Sequence, residues 1–226
     1  LNKKRVIAFI LSFLLIMQQS LAYQALASTI TDASGNTINP HPDTGHFEIR
    51  PDAFNSDKNV GFSSFQDLNL SKNDVLNFIF QALTHGQWTD SSGVVHEYRY
   101  HDIDTFVALV QNQINIDGIV NALSSVDGGL KTDGNMVFVS PNGMVVGASG
   151  VLNVGSLSVY TPTQDTFNIV KSGLPTSSDL NSQNIAIGTY TDKTFDPSVL
   201  TIDSNQSVDI NGRVRTFGDI NIQSGT

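Results

Sequence analysis

The residues with chemistry to offer are few, and they gather between positions 96 and 104. His96 and His101 bracket Glu97, and Asp102 and Asp104 follow, while His41, His46 and His85 stand apart. The separation of His96 from His101 is not the spacing that sets two imidazoles on one face of a metal-binding helix. In a hairpin, which is how this stretch reads, these side chains form a solvated face, and no metal ligand set is expected. Asp102 and Asp104 alternate onto one strand face. Paired carboxylates of that kind serve as acid and base in polysaccharide cleavage, but no basic or aromatic sugar cleft lies nearby in sequence. No nucleophile elbow, phosphate-cradling loop or dinucleotide fingerprint occurs, and the chain has no cysteine. No catalytic residue and no cofactor are therefore expected, with a secreted polysaccharide lyase or hydrolase as the alternative.

The elements that would position any site are written in an unusual composition. Of 226 residues 39% are apolar and only 15% charged, and Asn, Ser, Thr and Gly take the place of charge. The N-terminal segment is of a different kind. A basic head (Lys3, Lys4, Arg5) precedes the uncharged run Val6 to Met17, and Ala25-Leu26-Ala27 offers small residues where signal peptidase reads. This is the pattern of a secretory signal peptide, with cleavage expected after Ala27 and Ser28 as the first mature residue. The apolar run is too short for a membrane anchor, which needs about 20 residues. Removing three of the 12 basic residues leaves nine against 21 acidic ones. No basic patch remains, so nucleic acid is not an expected partner.

Along the mature chain, Phe65 to Leu70 alternates and reads as a strand. Val75, Leu76, Phe78, Ile79, Ala82 and Leu83 follow Ser71 and Asp74 at helical spacing and end at Gly86, which predicts a short helix. Gln87 to Thr89 and Val94 to Tyr100 flank the turn Asp90-Ser91-Ser92-Gly93, which predicts a hairpin. From Ile103 onward the pattern is short apolar runs separated by Gly, Asn, Asp or Ser: 106–110, 114–120, 136–139, 144–146, 151–154 and 157–160. After a looser segment (163–182) the beat returns at 184–187, 200–202, 208–210, 214–217 and 220–222.

Asp117-Gly118, Asn142-Gly143 and Asn211-Gly212 each sit between two such runs, and Asn153 and Gly155 mark another corner; these pairs permit positive φ at small cost. An antiparallel sandwich or a parallel β-helix fits this beat. The tail from Ile202 to Ile222 favours the helix, because its short one-sided strands turn polar corners with almost no loop between them. The expected fold is all-β: a right-handed parallel β-helix with an N-terminal cap, one short helix and an extra-helical β-hairpin, at roughly 20 residues per coil.

With that architecture in view, Val137-Phe138-Val139-Ser140-Pro141-Asn142-Gly143-Met144-Val145-Val146-Gly147 resembles the "LINPNGIxFG" block of the N-terminal (TPS) secretion domain of two-partner secretion exoproteins. These are filamentous haemagglutinin-type and leukotoxin-like adhesins and contact-dependent toxins. Val151 to Leu157, Ile114 to Val120 and Phe62 to Leu68 are similar to that family's following run, its upstream coil and its early strand. Ser140 stands where the family has Asn, and Met144 where it has Ile. The resemblance covers about 59–226 and implies a signal peptide (1–27) and a secretion domain (28–226). It implies as partners the Sec translocon, signal peptidase and an outer-membrane transporter of the TpsB type with POTRA domains. It also implies a secreted or cell-surface destination by way of the periplasm, with host-cell contact through a downstream region. Ser140, Pro141, Asn142, Gly143 and Met144 would be the motif that serves export, besides forming a turn.

Overall fold

The computed structural model describes residues 27–85, 99–126, 129–175 and 187–225. The first elements among the described residues are three short strands, β1 (Thr29–Asp32), β2 (Phe47–Ile49) and β3 (Ala53–Asn55). It then winds through coils. The first carries β4 (Val60–Leu70) and β5 (Val75–Ile79), followed by an antiparallel excursion of β6 (Gln81–His85) and β7 (Arg99–Asp102). The second carries β8 (Thr105–Val110), β9 (Ile114–Ile116) and β10 (Ile119–Val126), whose end pairs antiparallel with β11 (Gly129–Lys131). The third is β12 (Asn135–Val139), β13 (Met144–Val146) and β14 (Val151–Val154). The fourth begins with β15 (Ser156–Tyr160) and is interrupted by helix α1 (Gln164–Lys171), β16 (Thr189–Tyr190) and a 3-10 turn at 197–199. It resumes as β17 (Val208–Ile210) and β18 (Arg213–Thr216), and β19 (Ile220–Gln223) starts a fifth.

Each strand pairs in parallel with its counterpart one coil on, which makes this a parallel β-helix with three faces. The first face stacks the start of β4, then β8, β12, β15 and β19. The end of β4 begins the second, with β9, β13 and β17. The third stacks β2, β5, β10, β14 and β18. Where no excursion intervenes, one coil takes 21 residues, from Asn135 to its partner Ser156. β1 and β3 run antiparallel to β4 and form the expected N-terminal cap.

Alternation along each strand sends one set of side chains into the prism. Leu76 and Phe78 of β5, Val120 and Ala122 of β10, and Leu152 and Val154 of β14 belong to one fully buried cluster. Its centre is aromatic: the Phe78 ring lies 5.0 Å from Phe106, 6.0 Å from Phe138 and 6.4 Å from Phe65. A second cluster lies outside the first face. There Phe62, Val107, Leu109, Val137, Val139 and Tyr160 are buried beneath Phe167 of α1, with Phe195, Leu200 and Ile202 of the same insertion packed against them.

The helix expected over 71–86 is not a helix. Gly86 lies outside the described residues, and residues 71–85 form the corner Ser71–Asp74 followed by β5 and β6. Their apolar positions satisfied both periods, and parallel pairing of β5 with β2 and β10 decided for the strand. The one α-helix among the described residues is α1, inside the segment that reads as loose. Thr163 stands at its N-cap, with Asp165 in the first turn and Lys171 in the last, both favourable to the helix dipole. An extra-helical antiparallel pair exists, β6 with β7; the expected strand 87–89 and most of 94–100 lie outside the described residues. The expected turn at 90–93, like Asp127-Gly128 and most of the run 184–187, lies outside the described residues. Residues 200–202 form no strand; Ile202 makes a single bridge to Pro162.

Candidate functional site

The residues from Ser140 to Met144 turn the chain from the first face to the second in the third coil, and they bond to the coils on both sides. Ser140 N donates to Tyr160 O at 3.0 Å. Ser140 Oγ donates to Asn112 O at 2.9 Å and accepts Asn142 N at 3.1 Å. Asn142 Nδ2 donates to Gln111 O at 2.7 Å. Gly143 O accepts Ile114 N at 3.0 Å, and Met144 N donates to Ser207 O at 3.1 Å. Ser140, Pro141, Gly143 and Met144 are buried and Asn142 is exposed.

These bonds assign the residue types. Pro141 presets φ for the turn, and its lack of an N–H costs nothing at that position. Gly143 adopts φ of 83°, and a Cβ there would lie 2.6 Å from Ser207 O, so both conformation and space require glycine. The Asn-Gly pair permits positive φ at Asn142 as well, but the turn does not use it. Asn142 is there for its side-chain amide, which satisfies the Gln111 carbonyl one coil back. Asn142→Ala is therefore expected to cost about 1 kcal/mol, the net worth of one hydrogen bond, measurable as a lower urea midpoint.

The other corners obey a different rule. Gly118, Gly150 and Gly212 occupy the same position, immediately before the third-face strand, in successive coils. Gly134 and Gly155 stand immediately before β12 and β15 on the first face, and Gly218, in register with Gly155, stands two residues before β19. None has positive φ, so the left-handed freedom that Asp117-Gly118 and Asn211-Gly212 offer is not used. What they share is contact: a Cβ on Gly118 would overlap Asp74 O, on Gly212 the Gly150 carbonyl, and on Gly155 the Asp133 carbonyl. Asp117, Gly118, Gly155, Asn211 and Gly212 stand at or beside coil turns. Asn153, however, lies within β14, in an outward ladder the sequence reading missed: Asn153 Nδ2 donates to Asn121 Oδ1 at 2.8 Å, and Asn121 Nδ2 to Asn77 Oδ1 at 2.9 Å. Asn115 and Asn69 repeat this on the second face at 2.8 Å. The partners stand 32, 44 and 46 positions apart because excursions lie between them, so no regular spacing in the sequence announces the ladder.

The chemical candidates are dispersed. Ala25, His96 and Glu97 lie outside the described residues. Ala27 is exposed, and Ser28 Oγ accepts Ser71 N at 2.8 Å. His101 stacks on Phe54, ring centroids 5.2 Å apart. Asp102 accepts Gln81 Nε2 at 2.8 Å and Asp104 accepts Asn59 Nδ2 at 3.1 Å. Both, with Asp133, line an open groove of about 380 Å³ between the two hairpin excursions. Among the described residues no three His, Cys, Asp or Glu side chains are placed to hold a metal ion, and no helix is long and apolar enough to cross a membrane.

One carboxyl is electrostatically unusual. Asp52 lies at the seam of β3, β4 and β16, where its N–H donates to Phe62 O at 2.9 Å and its carbonyl accepts Thr189 N at 2.8 Å. Burial pushes its pKa up to about 7; a hydrogen bond with Ser63 and a backbone bond from Ser64 oppose the rise, and the charge of Asp32 adds to it. The folded form holds this proton more tightly than the unfolded chain. The carboxyl is neutral in both states well below pH 4, and its destabilising effect grows as pH rises toward 7 and is complete above it. Asp52→Asn is expected to stabilise the protein at pH 8 by a few kcal/mol at most, at about 1.4 kcal/mol per pKa unit. The gain vanishes toward pH 4, which thermal unfolding across that range will show.

The class these features define is a capped parallel β-helix whose corners carry the coil-to-coil bonds. No protein-family model matches the chain, and neither curated proteins nor solved structures give a match.

Proposed function

We propose that this chain is the N-terminal secretion domain of a large bacterial exoprotein, a filamentous adhesin or toxin. In this reading a dedicated outer-membrane barrel captures it, unfolded, through periplasmic POTRA domains, and it folds as the first coils of a β-helix at the cell surface. The observation that carries the reading is the corner. The residues resembling the family's secretion block form a turn that bonds at once to the preceding coil (Gln111, Asn112, Ile114) and to the following one (Tyr160, Ser207). A chain emerging coil by coil needs such a clamp, because each closed coil then prevents the one before it from sliding back. The position of Ser28 agrees: the first residue after the expected cleavage point is already bonded to the first coil.

Export of the corner variant tests this. Asn142→Ala is compared with Asn121→Ala, which breaks two ladder bonds on another face and so costs at least as much stability. The proposal expects release into the medium to fall for Asn142→Ala and to persist for Asn121→Ala; equal export of the two removes the corner's role. A second reading, cleavage of a polysaccharide, rests on the groove shared by Asp102, Asp104 and Asp133. Reducing-end release from polysaccharides, lost in Asp102→Asn and Asp104→Asn, would carry that reading instead.

A further inference from the structure

Two Asn-Gly dipeptides occur at corners of this β-helix, and the fold treats them oppositely. At Asn142-Gly143 the side-chain amide is held by Gln111 O at 2.7 Å. The Gly143 N–H donates to Ser140 O at 3.4 Å, its carbonyl accepts Ile114 N, and the next amide donates to Ser207 O. At Asn211-Gly212, between β17 and β18, the backbone N–H of Asn211 donates to Val146 O at 2.8 Å. The side chain is exposed, and among the described residues its amide has no hydrogen-bond partner. The Gly212 N–H donates to no backbone carbonyl among them, although the next amide, Arg213 N, donates to Gly150 O at 2.9 Å.

We propose that Asn211-Gly212 is a site of spontaneous self-modification, and that Asn142-Gly143 is protected from the same reaction. The Gly212 nitrogen attacks Cγ of Asn211. The N–Cγ bond forms, the Cγ–Nδ2 bond breaks, and the proton from Gly212 N leaves with Nδ2 as ammonia. Water then opens the cyclic imide at either carbonyl, giving aspartate or its β-linked isomer, with no oxidant or reductant. Glycine offers no side chain to obstruct the attacking nitrogen. At Asn142 the reaction must first break the bond to Gln111 and disturb the bonds on either side of Gly143. At about 0.5–1.5 kcal/mol per bond, that slows it on the order of tenfold or more. The β-linked product lengthens the main chain by one carbon where Gly212 is packed onto the Gly150 carbonyl, so β18 loses its register on β14.

The test is incubation of the native chain at mildly alkaline pH in ¹⁸O-labelled water, followed by acidic digestion and peptide mass mapping, beside a sample held in urea. The inference expects label at position 211 to accumulate at least about tenfold faster than at 142 in the native protein, and at comparable rates in urea. Asn211→Gln, an exposed substitution, should abolish label at this corner with the circular dichroism unchanged. Equal native rates, faster reaction at 142, or label at 211 appearing only in urea would each overturn it.

Discussion

Replacing Gly155 by alanine is expected to destabilise the protein by about 3 kcal/mol, or to prevent folding, the upper range for forcing an extra carbon into packed structure. At an unstrained site the same substitution stabilises a protein by about 0.4–1 kcal/mol, because alanine narrows the unfolded ensemble. The sign therefore reports on the corner itself. Gly155 N donates to Gly134 O at 2.8 Å, its carbonyl receives Gly218 N at 2.7 Å, and a Cβ would overlap the Asp133 carbonyl. The obstructing atoms are backbone, held by the parallel pairing of β12 with β15, so no side chain can swing aside. Urea unfolding should show a lower midpoint with the slope unchanged. A neutral or stabilising result would mean that the coils do not approach as described.

The second large effect is expected at the centre of the prism. Phe78 is fully buried and meets the rings of Phe65, Phe106 and Phe138 edge-on, so one side chain ties β4, β5, β8 and β12 together. Phe78→Ala is expected to cost about 3–5 kcal/mol through lost burial and the cavity left behind. Phe78→Leu should cost less, since it refills most of the volume. Equal costs would place the value of this residue in its ring contacts rather than in volume.

How legible this was depended on whether the deciding contact was local. The runs at 106–110, 136–139, 144–146, 151–154 and 157–160 were readable because each is a short, largely apolar stretch that ends at a polar corner. The polar, nearly loop-free tail favoured stacked coils over a sandwich. Residues 75–83 could not be read correctly, since Leu76, Phe78, Ile79, Ala82 and Leu83 fit a helix as well as two strands. The choice was made by partners one coil away, at Val120 and Ala122. The glycines at 118, 155 and 212 were legible as corners but not in their cause, which lies in carbonyls of neighbouring coils rather than in their own torsions. At the candidate site, the turn chemistry of Pro141 and Gly143 was visible in the dipeptides. Asn142's reach to Gln111, 31 positions back, was not.

The most direct test of the functional account is the fate of residues 1–226 in cells with and without a two-partner outer-membrane transporter, followed by fractionating medium, surface and periplasm. The account predicts a chain that begins at Ser28 and is released to the medium or surface only when the transporter is present, and held in the periplasm without it. Release that does not depend on the transporter, or periplasmic retention in its presence, would contradict it.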